Sequence, residues 1–169
     1  SHTGGRSAAK AASRYIVNEK PGDAKYDDAG IEKMKARILK PLKTYAENQE
    51  LSMQDDVNPG YILPKMYMMR LQKLMDEYAG GVTAQFTTSK PNLERALELL
   101  DLLKEDAENL GARDLHDLMR CWENYHRTYQ AEVHVRSMLF REETRWPGYY
   151  FRSDCPKMDN ENWNVFVNG

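Results

Sequence analysis

The chain has 169 residues, enough for one domain of ordinary size with its own core. Its 24 lysines and arginines nearly balance 26 acidic residues, so the net charge of −2 gives no overall attraction to nucleic acid or to an anionic membrane. No apolar run approaches the ~20 residues that a transmembrane helix needs, and the N-terminus has no secretory pattern. We therefore expect a chain with solvated helix faces that contains no membrane span and binds no nucleic acid.

The cysteines and histidines are not spaced as metal ligands usually are. Cys121 and Cys155 are far apart, and His116, His126 and His134 form no pair at helical i, i+4 spacing. The sequence also contains no nucleophile elbow, no phosphate-binding loop with lysine and no dinucleotide fingerprint. We predict neither a metal site, a disulfide framework nor a complete active site, and a reducing cytoplasmic setting is the default.

The N-terminal residues predict a short helix after a polar segment. Residues 1–6, SHTGGR, precede a stretch that ends at Pro21-Gly22. A polar, glycine-containing segment before a helix is compatible with an anion site or with an ordinary helix cap. The predicted helix has small and apolar residues on one face: Ala8, Ala11, Ala12, Tyr15 and Ile16. The Pro, Gly, Asp and Lys residues of positions 20–28 indicate a linker and a domain boundary.

Two further helices are predicted before the middle of the chain. An apolar stripe runs from Ile31 to Tyr45, and Pro41 within it predicts a kink or two abutting helices. A turn is predicted over 55–60, and Pro64 suits the first turn of the next helix, which Gly80-Gly81 should end. The sequence also has five methionines from Met53 to Met75. They are predicted to fill the core, with a docking groove as the alternative.

A helical hairpin is predicted next. Apolar spacing indicates a helix from Pro91 to about Leu110, with Ser89 or Asn92 as its cap and Gly111 as its stop. A second long helix should start near Asp114. Two such helices joined by a short turn form an antiparallel hairpin, and its seam should be the core of the domain.

The stretch from Arg141 to Trp163, REETRWPGYYFRSDCPKMDNENW, differs from the helices before it. Its proline should stop the preceding helix by about Arg145. Three aromatic residues then lie between Arg145 and Arg152, an arrangement suited to a hydrated interface because arginine stacks on rings and binds carboxylates. An ordered turn packed on the domain's own surface is the alternative.

The order of residues in this stretch is similar to a known signature. The pattern Arg152-x-Asp154-x-Pro156-x-x-Asp159-x-x-x-Trp163, preceded by Glu143-Thr144-Arg145, resembles the C-terminal signature of the succinate dehydrogenase and fumarate reductase flavoproteins. Two departures, the inserted Trp146-Pro147 and Tyr150 in place of a histidine, resemble one branch of that superfamily. That branch is the flavoprotein (alpha) subunit of adenylylsulfate reductase.

The resemblance implies a fold and a division of the chain. The fold is mainly α, an antiparallel helical bundle with an irregular C-terminal tail. Residues 1–20 would end an FAD-binding domain, 21–144 would form the helical domain, and 145–169 the C-terminal loop segment. Ser1, His2, Gly5 and Arg6 match a segment of the reductase branch that faces the flavin, so Ser1 and His2 are the implied flavin contacts. We expect the chain to be a fragment of a longer protein.

The resemblance also implies a function. The enzyme would interconvert adenylylsulfate with sulfite and AMP, using FAD held mostly by upstream residues and a beta subunit that carries iron–sulfur clusters. This chain would supply a scaffold and no catalytic residue. The candidates for a domain or subunit contact are Arg145, Trp146, Tyr149, Tyr150 and Arg152. A succinate or fumarate flavoprotein and a free-standing helical interaction module are the alternatives.

Overall fold

The computed structural model describes residues 2–22, 25–51, 53, 58–146 and 148–165. The described residues are mainly helical, and the prediction of a helical bundle followed by an irregular tail is confirmed. The elements in chain order are α1 (His2–Glu19), α2 (Asp28–Asn48), a 3-10 turn (Gln49–Leu51), α3 (Pro64–Tyr78), β1 (Thr87–Thr88), α4 (Lys90–Ala107), α5 (Leu115–Phe140), β2 (Phe151–Arg152) and α6 (Asn160–Trp163).

The chain divides into two compact units, one ending at Arg37 and the other beginning at Ile38. The predicted domain boundaries, after residues 20 and 144, stay a prediction. In the first unit, α1 already begins at His2, so the polar segment predicted to precede the helix belongs to it. Each glycine there costs about 1 kcal/mol of helix stability, which weakens a helix without preventing it. Every described residue of α1 is exposed, and the helix ends before Pro21 as predicted.

Helix α2 runs through Pro41 without a break, so the expectation of two abutting helices was wrong. Proline lacks the N–H of a helical hydrogen bond, and contacts from outside the helix stabilise this region instead. The Pro41 carbonyl accepts a bond from the Ala112 amide at 2.9 Å, and the Trp122 indole donates to the Ile38 carbonyl at 3.1 Å. Pro41 is buried.

Helix α3 begins at Pro64 and ends at Tyr78, as the sequence predicted. Gly80 follows with φ of +80°, a left-handed conformation that glycine adopts without steric cost. The methionines of α3 do not all fill the core. Met66 and Met69 are 41% and 55% exposed, and Met53, before the helix, is 81% exposed, so the prediction of core packing was wrong for these three residues.

Helices α4 and α5 form the predicted antiparallel hairpin. Lys104 in α4 pairs with Glu132 in α5 at 2.6 Å, and farther along α4 the Ala107 carbonyl accepts a bond from the Tyr125 hydroxyl at 2.8 Å. Helix α4 ends at Ala107, earlier than the predicted Leu110. Helix α5 starts near Asp114 as expected, and Asp114 is its N-cap.

The core lies where α3, α4 and α5 meet. Tyr67 is fully buried, and its hydroxyl contacts the Leu103 carbonyl at 3.0 Å and the Thr128 hydroxyl at 2.9 Å, so its polar atom is paired inside the bundle. Fully buried apolar residues include Leu93, Ala96, Leu100, Cys121 and Val135. Among the described residues, no helix has both the length and the apolar character required to cross a membrane.

Candidate functional site

The residues from 141 to 163, called the signature segment below, follow α5 and are attached to the start of α4. Their strand β2 pairs in parallel with β1, with Thr87 opposite Phe151 and Thr88 opposite Arg152. The Phe151 amide donates to the Phe86 carbonyl at 2.7 Å, and the Ser153 amide donates to the Thr88 carbonyl at 2.9 Å. This short pairing, which the sequence analysis did not predict, fixes the segment beside the loop that precedes α4.

Glu143 is the centre of one polar cluster, and its side chain is fully buried. Its carboxylate accepts bonds from Arg141 Nε at 2.7 Å, Arg145 Nε at 2.8 Å, Arg145 Nη2 at 3.0 Å and the Asp159 amide at 2.9 Å. Burial alone raises the pKa of this carboxyl, but the hydrogen bonds from Arg145, the Asp159 amide and Arg141 outweigh burial and lower the pKa to about 2. Glu143 is therefore a stably charged group that organises the chain around it.

The two arginines extend this cluster to the end of the segment. Arg141 Nη2 donates to the Trp163 carbonyl at 3.0 Å, and its guanidinium carbon lies 5.8 Å from the centre of the Trp163 ring. That ring meets Phe140 edge to face, with centroids 5.3 Å apart. Arg145 Nη1 donates to Asn160 Oδ1 at 3.0 Å. The short helix α6 is thereby tied to the end of α5.

Arg152 is the centre of a second cluster and is 1% exposed. Its Nε and Nη2 atoms bind the two oxygens of Asp154 at 2.9 and 2.6 Å. Its Nη1 atom donates to the carbonyls of Met138 and Arg141, at 2.5 and 3.3 Å. Carbonyls in the last turn of a helix lack partners within the helix and carry partial negative charge, so a buried cation stabilises the end of α5.

Asp154 links Arg152 to the N-terminus of α4. Its Oδ2 atom accepts a bond from the Lys90 amide at 3.1 Å, in the first turn of α4. The bond from Arg152 is the main reason that the pKa of Asp154 is lowered to about 2, and the Lys90 amide contributes in the same direction. Ser89 has the N-cap position but makes no side-chain cap bond, so the predicted capping by Ser89 or Asn92 is replaced by a carboxylate from the signature segment.

Thr144 joins the two clusters. Its hydroxyl accepts a bond from the Arg152 amide at 2.9 Å and donates to the Cys155 carbonyl at 2.8 Å. Its own amide donates to the Lys157 carbonyl at 3.2 Å. Position 144 therefore needs a small hydroxyl side chain, because that hydroxyl binds the backbone of Arg152 and Cys155.

The predicted site residues have different environments. Arg152 is buried, Arg145 is 16% exposed, and Tyr150 packs partly buried against the core. Trp146 and Tyr149 are 64% and 81% exposed.

Helix α5, which precedes these residues, ends at Phe140, in agreement with the prediction that it stops by about Arg145. Residues 141–145 lie beyond the helix, where Arg141 and Arg145 both bind Glu143.

The two residues implied to contact flavin lie at the start of the chain. His2 is the exposed first residue of α1, and Ser1 lies outside the described residues. In the part of the chain that the structure describes, no three His, Cys, Asp or Glu side chains are grouped as metal ligands.

The signature segment lies within the residues that match a known protein family. The profile of the family described as fumarate reductase flavoprotein C-term matches residues 68–167, more than half of the chain. The chain belongs to this family.

Relatives within and beyond this family give a finer comparison. The chain is 42% identical over 168 residues to the alpha subunit of adenylylsulfate reductase from Megalodesulfovibrio gigas, covering 99% of this chain and 25% of that protein. The structure of adenylylsulfate reductase from Archaeoglobus fulgidus matches with a TM-score of 0.86 at 54% identity, over 93% of this chain and 24% of that one. The predicted resemblance to the adenylylsulfate reductase branch is confirmed. The chain spans about a quarter of the length of these relatives.

A more distant structure shares the fold. The Sdh1 complex of Mycobacterium smegmatis matches with a TM-score of 0.66 at 22% identity, over 90% of this chain and 23% of that one. The helical arrangement is therefore common to proteins whose sequences have diverged widely.

Proposed function

We propose that this chain is the C-terminal part of the FAD-containing alpha subunit of an adenylylsulfate reductase, which interconverts adenylylsulfate with sulfite and AMP. The observation that supports this most strongly is the 54% identity to the Archaeoglobus fulgidus reductase across 93% of the chain, with a TM-score of 0.86. A further structure in the same group, also 54% identical, is described as adenosine-5-phosphosulfate reductase in a covalent adduct with sulfite. The proposed setting is the cytoplasm.

The contribution of this chain to the enzyme would be structural. Glu143 and Asp154 are both charged and already bound by arginine and backbone amides, so neither is available as a general base. Burial raises the pKa of the Cys121 thiol to about 12, which removes its thiolate at neutral pH. We accordingly assign no catalytic acid, base or nucleophile to the described residues.

We propose that most of the FAD contacts come from residues outside this chain. FAD would supply the redox chemistry of the enzyme. Ser1 and His2 remain the proposed flavin contacts here. Because His2 is exposed at the first residue of α1, it is accessible to a group held by another part of the protein. Electrons would come from a beta subunit with iron–sulfur clusters.

We propose further that the signature segment contacts another domain or the beta subunit. Trp146 and Tyr149 would make this contact, because they are large, aromatic and mostly exposed. Arg145, Tyr150 and Arg152 would act by fixing the shape of the segment. Arg152 in particular is buried within this chain and binds Asp154 and the end of α5.

The first experiment is an activity assay on the full-length polypeptide, co-expressed with its neighbouring iron–sulfur protein and checked for bound FAD. Reduction of ferricyanide that requires both AMP and sulfite is the expected result. A flavin-loaded protein that is inert with this pair but oxidises succinate or reduces fumarate would instead place it with the sister flavoproteins. A full-length protein without flavin would support a helical interaction module.

The contact is tested in the same complex with the double substitution Trp146→Ala and Tyr149→Ala. Truncating exposed aromatic anchors at an interface typically weakens binding by tenfold or more, so subunit affinity or flavin retention should fall by that amount. Tyr129→Ala removes another exposed aromatic side chain, from α5, and is the matched control. Unchanged affinity and flavin content in the double variant would refute the proposed contact.

A further inference from the structure

A groove outside the signature segment lies between α3 and α5. It has a volume of about 890 Å³ and is called the α3–α5 groove here. The residues used below are Lys65, Met66 and Met69 from α3, and His116, Arg120, Asn124 and Arg127 from α5. All of them belong to the unit that begins at Ile38.

The groove is basic although the chain as a whole has a net charge of −2. Among the described residues that line it, four are permanent cations and only Asp117 is acidic. That carboxylate is already bound by Arg113 Nε at 2.6 Å. Arg120 donates to the ring nitrogen of His116 at 2.9 Å, so this bond leaves its charge uncompensated. Arg127 Nη1 also lies 3.3 Å from Glu123 Oε2, but both side chains are exposed and such a surface pair contributes little to stability. The positive charge in the groove therefore exceeds what the lining itself neutralises.

The charges form a row along α5. Arg120 and Arg127 are seven residues apart, which places them on one face of the helix, and His116 lies one turn before Arg120. A rise of 1.5 Å per residue separates the two arginine positions by roughly 10 Å. A single phosphate needs donors that converge on one point. A row of this length instead matches several carboxylates distributed along a peptide segment.

The remaining lining residues suit a peptide as well. Met66 and Met69 are exposed, and methionine is an adaptable apolar contact that is enriched, with arginine, at protein interfaces. Asn124 is 1% exposed and donates from Nδ2 to the Pro64 carbonyl at 2.8 Å. Its Oδ1 atom is buried without a hydrogen-bond partner in the described structure. Such an acceptor is costly unless a donor reaches it.

We propose that the α3–α5 groove binds an acidic, amphipathic segment of a partner polypeptide. Its carboxylates pair with Lys65, Arg120 and Arg127, and its apolar side chains pack on Met66 and Met69. The proposal concerns a surface distinct from the signature segment and does not depend on which reaction the enzyme catalyses.

The test uses the full-length polypeptide in its purified native assembly, with the photo-cross-linker benzoylphenylalanine replacing Gln72, an exposed residue that lines the groove. After irradiation, mass spectrometry should identify a cross-linked segment of a different polypeptide in which Asp and Glu outnumber Lys and Arg. The double substitution Arg120→Glu and Arg127→Glu should reduce the cross-link at least tenfold, and Arg120→Gln with Arg127→Gln should reduce it less. Both arginines are exposed, so these variants should fold.

Two controls separate the groove from the rest of the surface. Arg95→Glu changes an exposed charge on α4 and should leave the cross-link unchanged. The cross-linker at Glu98, also on α4, should not capture the same segment.

The proposal is overturned if the cross-link joins residues of the same polypeptide, reaches a neutral or basic segment, fails to form, or persists after charge reversal. Loss of the cross-link with 20 mM inorganic phosphate, but not with chloride of equal ionic strength, would identify a small-anion site and also overturn it.

Discussion

The bundle formed by helices α3, α4 and α5 and the signature segment are adjacent in sequence but are stabilised by different interactions. The bundle buries Leu93, Leu100 and Val135, whereas the fully or almost fully buried side chains of the signature segment are Glu143 and Arg152. Apolar packing is tolerant of exchanges that keep volume, but a buried charge requires its particular partner. Side-chain identity should therefore be more strictly constrained in the signature segment than in the bundle.

The two regions also depend on each other through helix ends. Arg152 binds carbonyls in the last turn of α5, and its partner Asp154 binds an amide in the first turn of α4. One ion pair thus supplies a positive charge where α5 ends and a negative charge where α4 begins, matching both helix dipoles. The signature segment closes the helical hairpin at the end opposite its connecting turn.

The largest loss of stability is expected for Glu143→Gln. The substitution keeps the size of the side chain but leaves Arg141 and Arg145 without their shared carboxylate. Removing one member of a buried ion pair typically costs about 3–5 kcal/mol. Hydrogen exchange of residues 150–163 in the intact polypeptide should accelerate by more than a hundredfold, because each 1.4 kcal/mol corresponds to a factor of about ten. Glu142→Gln, at an exposed neighbouring position, is the control. Equal protection in both variants would contradict the central role of Glu143.

An apolar change in the bundle should have a comparable but slightly smaller effect. Leu100 is fully buried, and Leu100→Ala should destabilise the bundle by about 2–5 kcal/mol through lost burial and the cavity that remains. Exchange at amides of α4 and α5 should accelerate to the same extent at low and at high salt. Leu102→Ala, at a position 54% exposed on the same helix, should change little. A strong salt dependence for Leu100→Ala would show that the bundle is not stabilised mainly by apolar packing.

Acid should destabilise the signature segment while the bundle remains folded. The pKa values of Glu143 and Asp154 are about 2 in the folded chain, against ordinary values of 4.5 and 3.8. The unfolded segment therefore takes up protons first as pH falls. The stabilisation is fully present above about pH 5 and is lost between about pH 4.5 and pH 2, by about 3 kcal/mol for Glu143 and about 2 kcal/mol for Asp154.

Exchange measured as a function of pH, and corrected for intrinsic rates, should show the segment opening while the bundle amides keep their protection. In Glu143→Gln this pH dependence should be shallower. Simultaneous opening of both regions would show that they form a single cooperative unit.

The parts of the fold that depend on local sequence were predictable. Apolar spacing indicated α3, α4 and α5, Pro64 and Gly80 marked the ends of α3, and Asp114 marked the start of α5. These signals act over one or two helical turns, so no knowledge of the tertiary structure was needed.

The features that sequence reasoning missed depend on distant residues. The continuity of α2 through Pro41 accompanies bonds from Ala112 and Trp122. The pairing of β1 with β2 joins residues about 64 positions apart, and each strand is only two residues long. Glu143, Arg152 and Asp154 all belong to the signature pattern. The two-residue spacing of Arg152 and Asp154 is typical of side chains on the same face of a strand. Only the folded structure identifies these residues as internal partners.

The smallest predicted losses of stability come from substitutions at the N-terminal caps of the two hairpin helices. Asp114 caps α5 locally by accepting a bond from the Asp117 amide at 2.8 Å, so Asp114→Ala should cost about 1 kcal/mol. Ser89 has the equivalent position before α4 but makes no side-chain cap bond, since Asp154 binds the Lys90 amide instead. Ser89→Ala should therefore change exchange in the first turn of α4 by less than about 0.5 kcal/mol. Equal costs for the two substitutions would mean that Ser89 caps α4 in solution, and that the connection through Asp154 is less important than its geometry indicates.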